Sequence, residues 1–219
     1  MIKVIAADMD GTLLNTKHKM SEKTYQTILE AQRNGYRFMI ATGRDYPGAL
    51  RALGEYRLHC DFVTGSGAEV RNEKGELLRT IAMNPEFFCE IYDQAVKMGG
   101  NVRFCANGRD YLVGDPETIE ERMIAEHRIF FGGGTDQEVR NTELFRQIVE
   151  RIHCVDRVEE ILEREIPIYK IFIAASDGET ADQMRREMSK IPQLAVASSF
   201  YNNVELTDEK AQKGIAIRA

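Results

Sequence analysis

Asp8-Met9-Asp10-Gly11-Thr12 is the stretch of the 219-residue chain whose residue types and spacing are best suited to chemistry. It follows an apolar run over residues 2–7 that reads as a strand buried on both faces of a parallel sheet. In open parallel sheets, ligands bind off the carboxyl ends of strands, and Asp8 stands at that end. Two residues apart on extended chain, Asp8 and Asp10 point to the same side. Two carboxylates gathered there repel unless a cation joins them or one takes a proton. The pair suits phosphoryl transfer. One carboxylate attacks phosphorus and carries an aspartyl-phosphate, and the other protonates the leaving oxygen and then activates water. A hard cation such as Mg²⁺ neutralises the charge and accepts oxygen ligands. Gly11 lets the backbone turn tightly, so its amide can approach an anion. The bland alternative is a solvated acidic turn. The longer string from Asp8 through Leu14 is too specific for it.

The elements that must position these residues alternate at first between strand and helix. Ser21 is an N-cap ahead of helical spacing at Tyr25, Ile28 and Leu29, with Gly35 as a stop. Residues 38–41 form a strand ending at Thr42-Gly43-Arg44, residues 47–53 a short helix, and residues 61–63 a third strand ending at residues 64–67. This rhythm predicts a parallel α/β layer. Hairpins then mix with helices. Residues 68–71 and 76–79 flank a turn. A helix over 85–98, strands over 102–105 and 111–113, helices over 116–126 and 142–152, a strand over 168–174, a helix over 179–190 and paired strands over 194–200 and 203–206 follow. That pattern predicts an α+β module inserted into the first layer, with a core of residues 1–82 and 207–219 and an insertion of residues 83–206. The last stretch, 209–219, reads as a helix.

Composition narrows the class. Charged residues make up 29% and hydrophobic residues 43%, as in a folded chain of one or two domains. The net charge of −6 argues against nucleic-acid or anionic-membrane partners, since phosphate-tracking surfaces are basic. No apolar run approaches the ~18 residues of a membrane span, and residues 1–7 meet Asp8 too soon for a signal peptide. Cys60, Cys89, Cys105 and Cys154 are scattered without a CxxC pair, so reduced thiols and a cytoplasmic location are expected. His18, His59, His127 and His153 lie far apart and read as ordinary surface or packing residues. The glycines at 132–134 read as a flexible loop, lacking the Lys-Ser/Thr of a P-loop. Residues 199–203 are expected to be the part of the insertion that faces the site.

At these motifs the chain resembles the haloacid dehalogenase-like phosphohydrolases. Asp8 to Leu14 resembles their first motif, Ala41-Thr42-Gly43-Arg44 their second, and Lys213-Gly214 their third. An α+β insertion after the third core strand resembles the type IIB cap of the Cof-like branch. The resemblance implies a Rossmann-like parallel-sheet core, Asp8 as nucleophile, and Asp10 as general acid/base. It implies Thr42, Gly11 and Gly43 as phosphate-binding residues, with Lys213 orienting Asp8 and offsetting phosphate charge. It also implies Mg²⁺ on Asp8 and the main-chain carbonyl of Asp10. The expected substrate is a small phosphorylated metabolite, a sugar phosphate first among them. Each residue has an independent physical case: a strand-end hydroxyl can donate to phosphate, and lysine is a point charge for its oxygens. Arg44, just past the second motif, either touches substrate or holds its loop.

The family's fourth motif, an acidic pair after the lysine, has no counterpart in residues 214–219. Gly114-Asp115 resembles it superficially but precedes Lys213, and Asp208 and Glu209 are poor substitutes because metal geometry tolerates little displacement. A shortened family member is therefore expected, with an incomplete core, weakened Mg²⁺ binding, a bare sheet edge at residues 2–7 and self-association through that edge. Two other readings stay open: a phosphomutase or glycosyl-phosphate phosphatase of the same fold, and a phosphate-binding chain without turnover. A phospho-receiver domain fits poorly, because the acceptor there lies on a later strand.

Overall fold

The computed structural model describes residues 3–16 and 18–218. The chain divides into two compact units, Met1–Ala82 with Asp208–Ala219, and Met83–Thr207.

In the first unit, β1 (Val4–Ala7), β2 (Arg37–Ala41) and β3 (Asp61–Thr64) pair in parallel in that order. Helix α1 (Glu22–Arg33) joins β1 to β2, and α2 (Tyr46–Leu53) joins β2 to β3. Ser21 caps α1 by accepting the Thr24 amide, and Asp45 caps α2 by accepting that of Gly48. Ile28 of α1 and Ala49 and Leu53 of α2 pack with Phe38, Ile40 and Phe62 of the strands in one apolar cluster. The sheet is not purely parallel. β4 (Glu69–Arg71) runs antiparallel to β3, and β5 (Leu77–Thr80) antiparallel to β4. The β3–β4 connection is only the turn Gly65–Gly67, far too short for the crossover that parallel pairing requires.

The run before Asp8 is not buried on both faces. β1 lies at the end of the sheet order, and Val4 and Ile5 are 43% and 37% exposed. A strand's burial is set by how many neighbours flank it, and apolar composition alone does not report that. Ile2, where the sequence reading begins this strand, and Ala219, where it ends the last helix, lie outside the described residues. That last helix is also shorter than expected. α9 spans Lys213–Arg218, because Asp208 accepts the Lys210 amide on its side chain and the Ala211 amide on its carbonyl, making a turn of the preceding residues.

The second unit holds a six-stranded mixed sheet in the order β10-β11-β9-β6-β7-β8. These are β6 (Asn101–Cys105), β7 (Asp110–Val113), β8 (Ile152–Val155), β9 (Lys170–Ala174), β10 (Leu194–Ala197) and β11 (Asn203–Asp208). Helices α3 (Phe88–Lys97) and α8 (Gly178–Met188) pack on the side of Phe104, Ile171, Ile173 and Val204. Helices α4 (Pro116–Phe131), α5 (Asp136–Asn141) and α6 (Glu143–Val149) gather around Leu112, and α7 (Glu159–Glu163) is a short turn of helix. β8, α5 and α7 are additions to the sequence reading. The helix expected over 142–152 stops at Val149, and Ile152–Val155 pairs in parallel with β7. The four residues of β8 are too few for a periodicity to register. The glycine-rich stretch is capping structure: Gly132 ends α4 at φ +99°, and Thr135 starts α5 with a capping box.

Gly67 is the tightest glycine of the first unit. It sits at φ +113°, and a Cβ there would lie 2.4 Å from the Gln212 carbonyl carbon. Gly67→Ala should destabilise the protein by about 2 kcal/mol or more, read as a fall in thermal midpoint, whereas Gly11→Ala, with open space at its Cβ, should cost less.

Candidate active site

The site is built at the carboxyl ends of β1, β2 and β3. After β1 the chain makes a wide turn over Met9–Leu13, closed by the Leu13 amide on the Asp8 carbonyl (3.3 Å) and the Leu14 amide on that of Met9 (2.9 Å). Met9, Leu13 and Leu14 anchor this turn in the core, and Asp10 and Gly11 project outward. Gly11 takes φ +72°, which makes it the natural residue for this bend.

The ends of β2 and β3 are knitted together by main-chain bonds. Thr42 donates to the Val63 carbonyl at 2.8 Å, Gly65 to Arg44 at 2.8 Å, and Ser66 to Thr42 at 3.1 Å. Gly65, Ser66 and Gly67 all have positive φ. Ser66 has a side chain and carries backbone strain there, a feature that clusters at functional sites. The tight turn brings Gly67 against the main chain of Gln212, and Lys213 follows as the first residue of α9.

Lys213 Nζ lies 2.8 Å from Asp8 Oδ1, across 205 residues of sequence. Arg44 donates through Nε to Asp10 Oδ2 at 2.9 Å and through Nη2 to Oδ1 at 2.7 Å. Each carboxylate thus has its own cation, which resolves the repulsion between them without a shared proton. The hydrogen bonds to Arg44 hold the Asp10 carboxyl below its ordinary range against the opposing effect of burial. The same bonds raise Arg44, with the charges of Asp10, Asp45 and Asp8 adding to them.

Of the residues singled out in the sequence, Asp8 pairs directly with Lys213, and Asp10 with Arg44. Thr42 is fully buried, and its hydroxyl accepts the Arg44 amide at 3.2 Å. Gly43 lies close to Ser66, whose Oγ would sit 3.4 Å from a Cβ there. His18, read as an ordinary surface residue, comes within 3.5 Å of Asp10 Oδ1. It is held at φ +54° in a turn bridged by Leu14 and Met20. No spacing signal marks it, because the turn alone brings it back. Asp115, in the superficial likeness to the fourth motif, caps α4 on Thr118, and Asp208 serves its own turn. A cleft of about 420 Å³ lies instead at the other ends of β2 and β3, lined by residues that include Arg37, His59, Cys60 and Asp61. Arg37 and Asp61 pair there at 2.7 Å, and burial pushes the Cys60 thiol up to about 12, so it offers no nucleophile.

The donor set accommodates Mg²⁺ by chemical type. Among the described residues, no three His, Cys, Asp or Glu side chains converge as a metal cluster. Arg44 takes both side-chain oxygens of Asp10. The second carboxylate oxygen of Asp8 and the main-chain carbonyl of Asp10 are hard oxygens, and Mg²⁺ keeps several waters where the protein supplies few ligands.

An aspartate at the end of β1 is thus bound to a lysine at the start of α9. The profile of the haloacid dehalogenase-like hydrolases matches residues 5–219, and the chain belongs to that family of enzymes. Phosphatase YwpJ of Bacillus subtilis is 24% identical over 99% of this chain and 77% of its own length. HMP-PP phosphatase of Shigella flexneri is 37% identical over 36% of this chain and 29% of its own length. A haloacid dehalogenase-like hydrolase from B. subtilis superposes with a TM-score of 0.78 at 20% identity, over 99% of this chain and 77% of its own. A Streptococcus mutans protein does so at 0.75 and 18%, over 100% and 74%. These structures share the fold, an α/β arrangement with a mixed sheet and an inserted module. Among the described residues no helix is long and apolar enough to cross a membrane.

Arg44→Gln should raise the Asp10 carboxyl toward its ordinary value, followed by side-chain carboxyl NMR. Because Arg44 depresses that value in the folded state, its stabilisation is present above the ordinary carboxylate range and is lost as pH falls through the depressed value. The difference in thermal midpoint between the two proteins should therefore vanish in acid. Both groups are partly exposed, so at neutral pH it should reflect about 1 kcal/mol or less.

Proposed function

We propose that the protein is a Mg²⁺-dependent phosphatase of small phosphorylated metabolites, sugar phosphates first among them, working through an aspartyl-phosphate on Asp8. The 2.8 Å contact between Lys213 and Asp8 carries this reading. It orients a carboxylate oxygen and sets a fixed positive charge where phosphoryl oxygens would gather. The phosphatase names of the relatives support it.

In the first half-reaction an Asp8 oxygen forms a bond to phosphorus, the ester P–O bond breaks, and Asp10 gives the leaving oxygen its proton. In the second, Asp10 takes a proton from water, whose oxygen attacks phosphorus and frees Asp8 and phosphate. The hydrogen bonds from Arg44 favour the ionised Asp10 carboxyl, the form that the second half needs. An arriving phosphoryl dianion pushes its carboxyl the opposite way by like-charge repulsion. Thr42, Gly11 and Gly43 are the proposed partners of the phosphoryl oxygens. Mg²⁺ would be held by Asp8 and the Asp10 carbonyl, supplying charge neutralisation of the phosphoryl group. The second unit is read as a cap of the type IIB, Cof-like kind.

With p-nitrophenyl phosphate and Mg²⁺, Asp8→Asn should abolish phosphate release, and EDTA should depress it in the unaltered protein. Turnover by Asp8→Asn at the unaltered rate would refute the nucleophile. With a hexose phosphate as substrate in place of the aryl ester, an isomerised sugar phosphate as product instead of free phosphate would favour a mutase.

A further inference from the structure

Arg44 engages both oxygens of Asp10 through the planar fork that only a guanidinium presents. The residue is itself fixed from its main chain. Its amide donates to Thr42 Oγ1, and its carbonyl accepts the Gly65 amide at 2.8 Å, so the bonds that seat it come from the ends of β2 and β3. A carboxylate held at one oxygen can still rotate about its last side-chain bond, but held at both it presents its lone pairs in one orientation. Asp10 projects from a bend at Gly11, and among the described residues its other charged neighbour is His18 at 3.5 Å. Two of the fork's donors are committed to Asp10.

We propose that Arg44 is a positioning residue that sets the orientation of the Asp10 carboxylate and influences the reaction through it, not by gripping the substrate. This rests on the reading of Asp10 as the proton carrier. The lever for a test is the leaving group. An alkyl phosphate must receive a proton as its ester bond breaks, whereas p-nitrophenolate leaves unprotonated.

The experiment compares kcat and KM of the unaltered protein, Arg44→Ala, Arg44→Lys, Asp10→Ala and the Arg44→Ala/Asp10→Ala double variant on p-nitrophenyl phosphate and a hexose 6-phosphate. The loss of kcat in Arg44→Ala should be about tenfold or more greater on the hexose phosphate than on the aryl ester. Arg44→Lys should not restore it, because lysine keeps the charge without the fork. The double variant should be no slower than Asp10→Ala. Equal losses on both esters, a rise in KM with kcat retained, rescue by lysine, or additive losses in the double variant would each overturn the proposal. If the unaltered protein turns over neither ester, it is the phosphatase reading that fails, and a measurement without turnover decides the clamp. The Arg44 Nε–H proton should exchange slowly in ¹H–¹⁵N spectra and lose that protection in Asp10→Ala. Equal exchange in the two proteins would overturn it.

Discussion

Two like charges at the mouth of one strand are the constraint around which the first unit is built. Asp8 and Asp10 stand two residues apart. The fold neutralises them from two directions. Lys213 arrives from the last helix onto Asp8, and Arg44 arrives from the end of β2 onto Asp10. Two carboxylates are thereby balanced by two cations.

Lys213 can reach Asp8 only if the chain before it comes close to the end of β3, and there the two main chains nearly touch. Gly67 has no side chain to keep Gln212 away, and the positive φ values at Gly65, Ser66 and Gly67 aim the turn toward it. Strain in that turn is offset by the bonds that tie it to Thr42 and Arg44. A single short turn thus serves both cations.

Part of this was legible from residue order: the signature around Asp8, the Thr-Gly-Arg at the end of β2 and the late Lys-Gly stand out in the sequence, and the structure pairs Asp8 with Lys213 and Asp10 with Arg44. The partner of Arg44 was not legible, because two readings of an arginine beside a turn differ only by the direction of its side chain. His18 was invisible for a related reason: its approach to Asp10 depends on a left-handed backbone in an otherwise unremarkable turn. The antiparallel half of the first sheet could be inferred from the hairpin at residues 68–79, but strand order carries no local signal. The exposure of β1 followed from that order. β8 escaped notice because four residues next to a helix end look like more helix.

The separation of 205 positions from Asp8 to Lys213 also sets a clock. A ribosome adding about 5–20 residues per second needs roughly 10–40 s to travel that distance. During that interval the second unit can be completed while Asp8 waits for its counter-ion. Birth order therefore runs opposite to sequence order: the portion encoded in the middle can mature first, and the Asp8 corner closes only once Lys213 has been made.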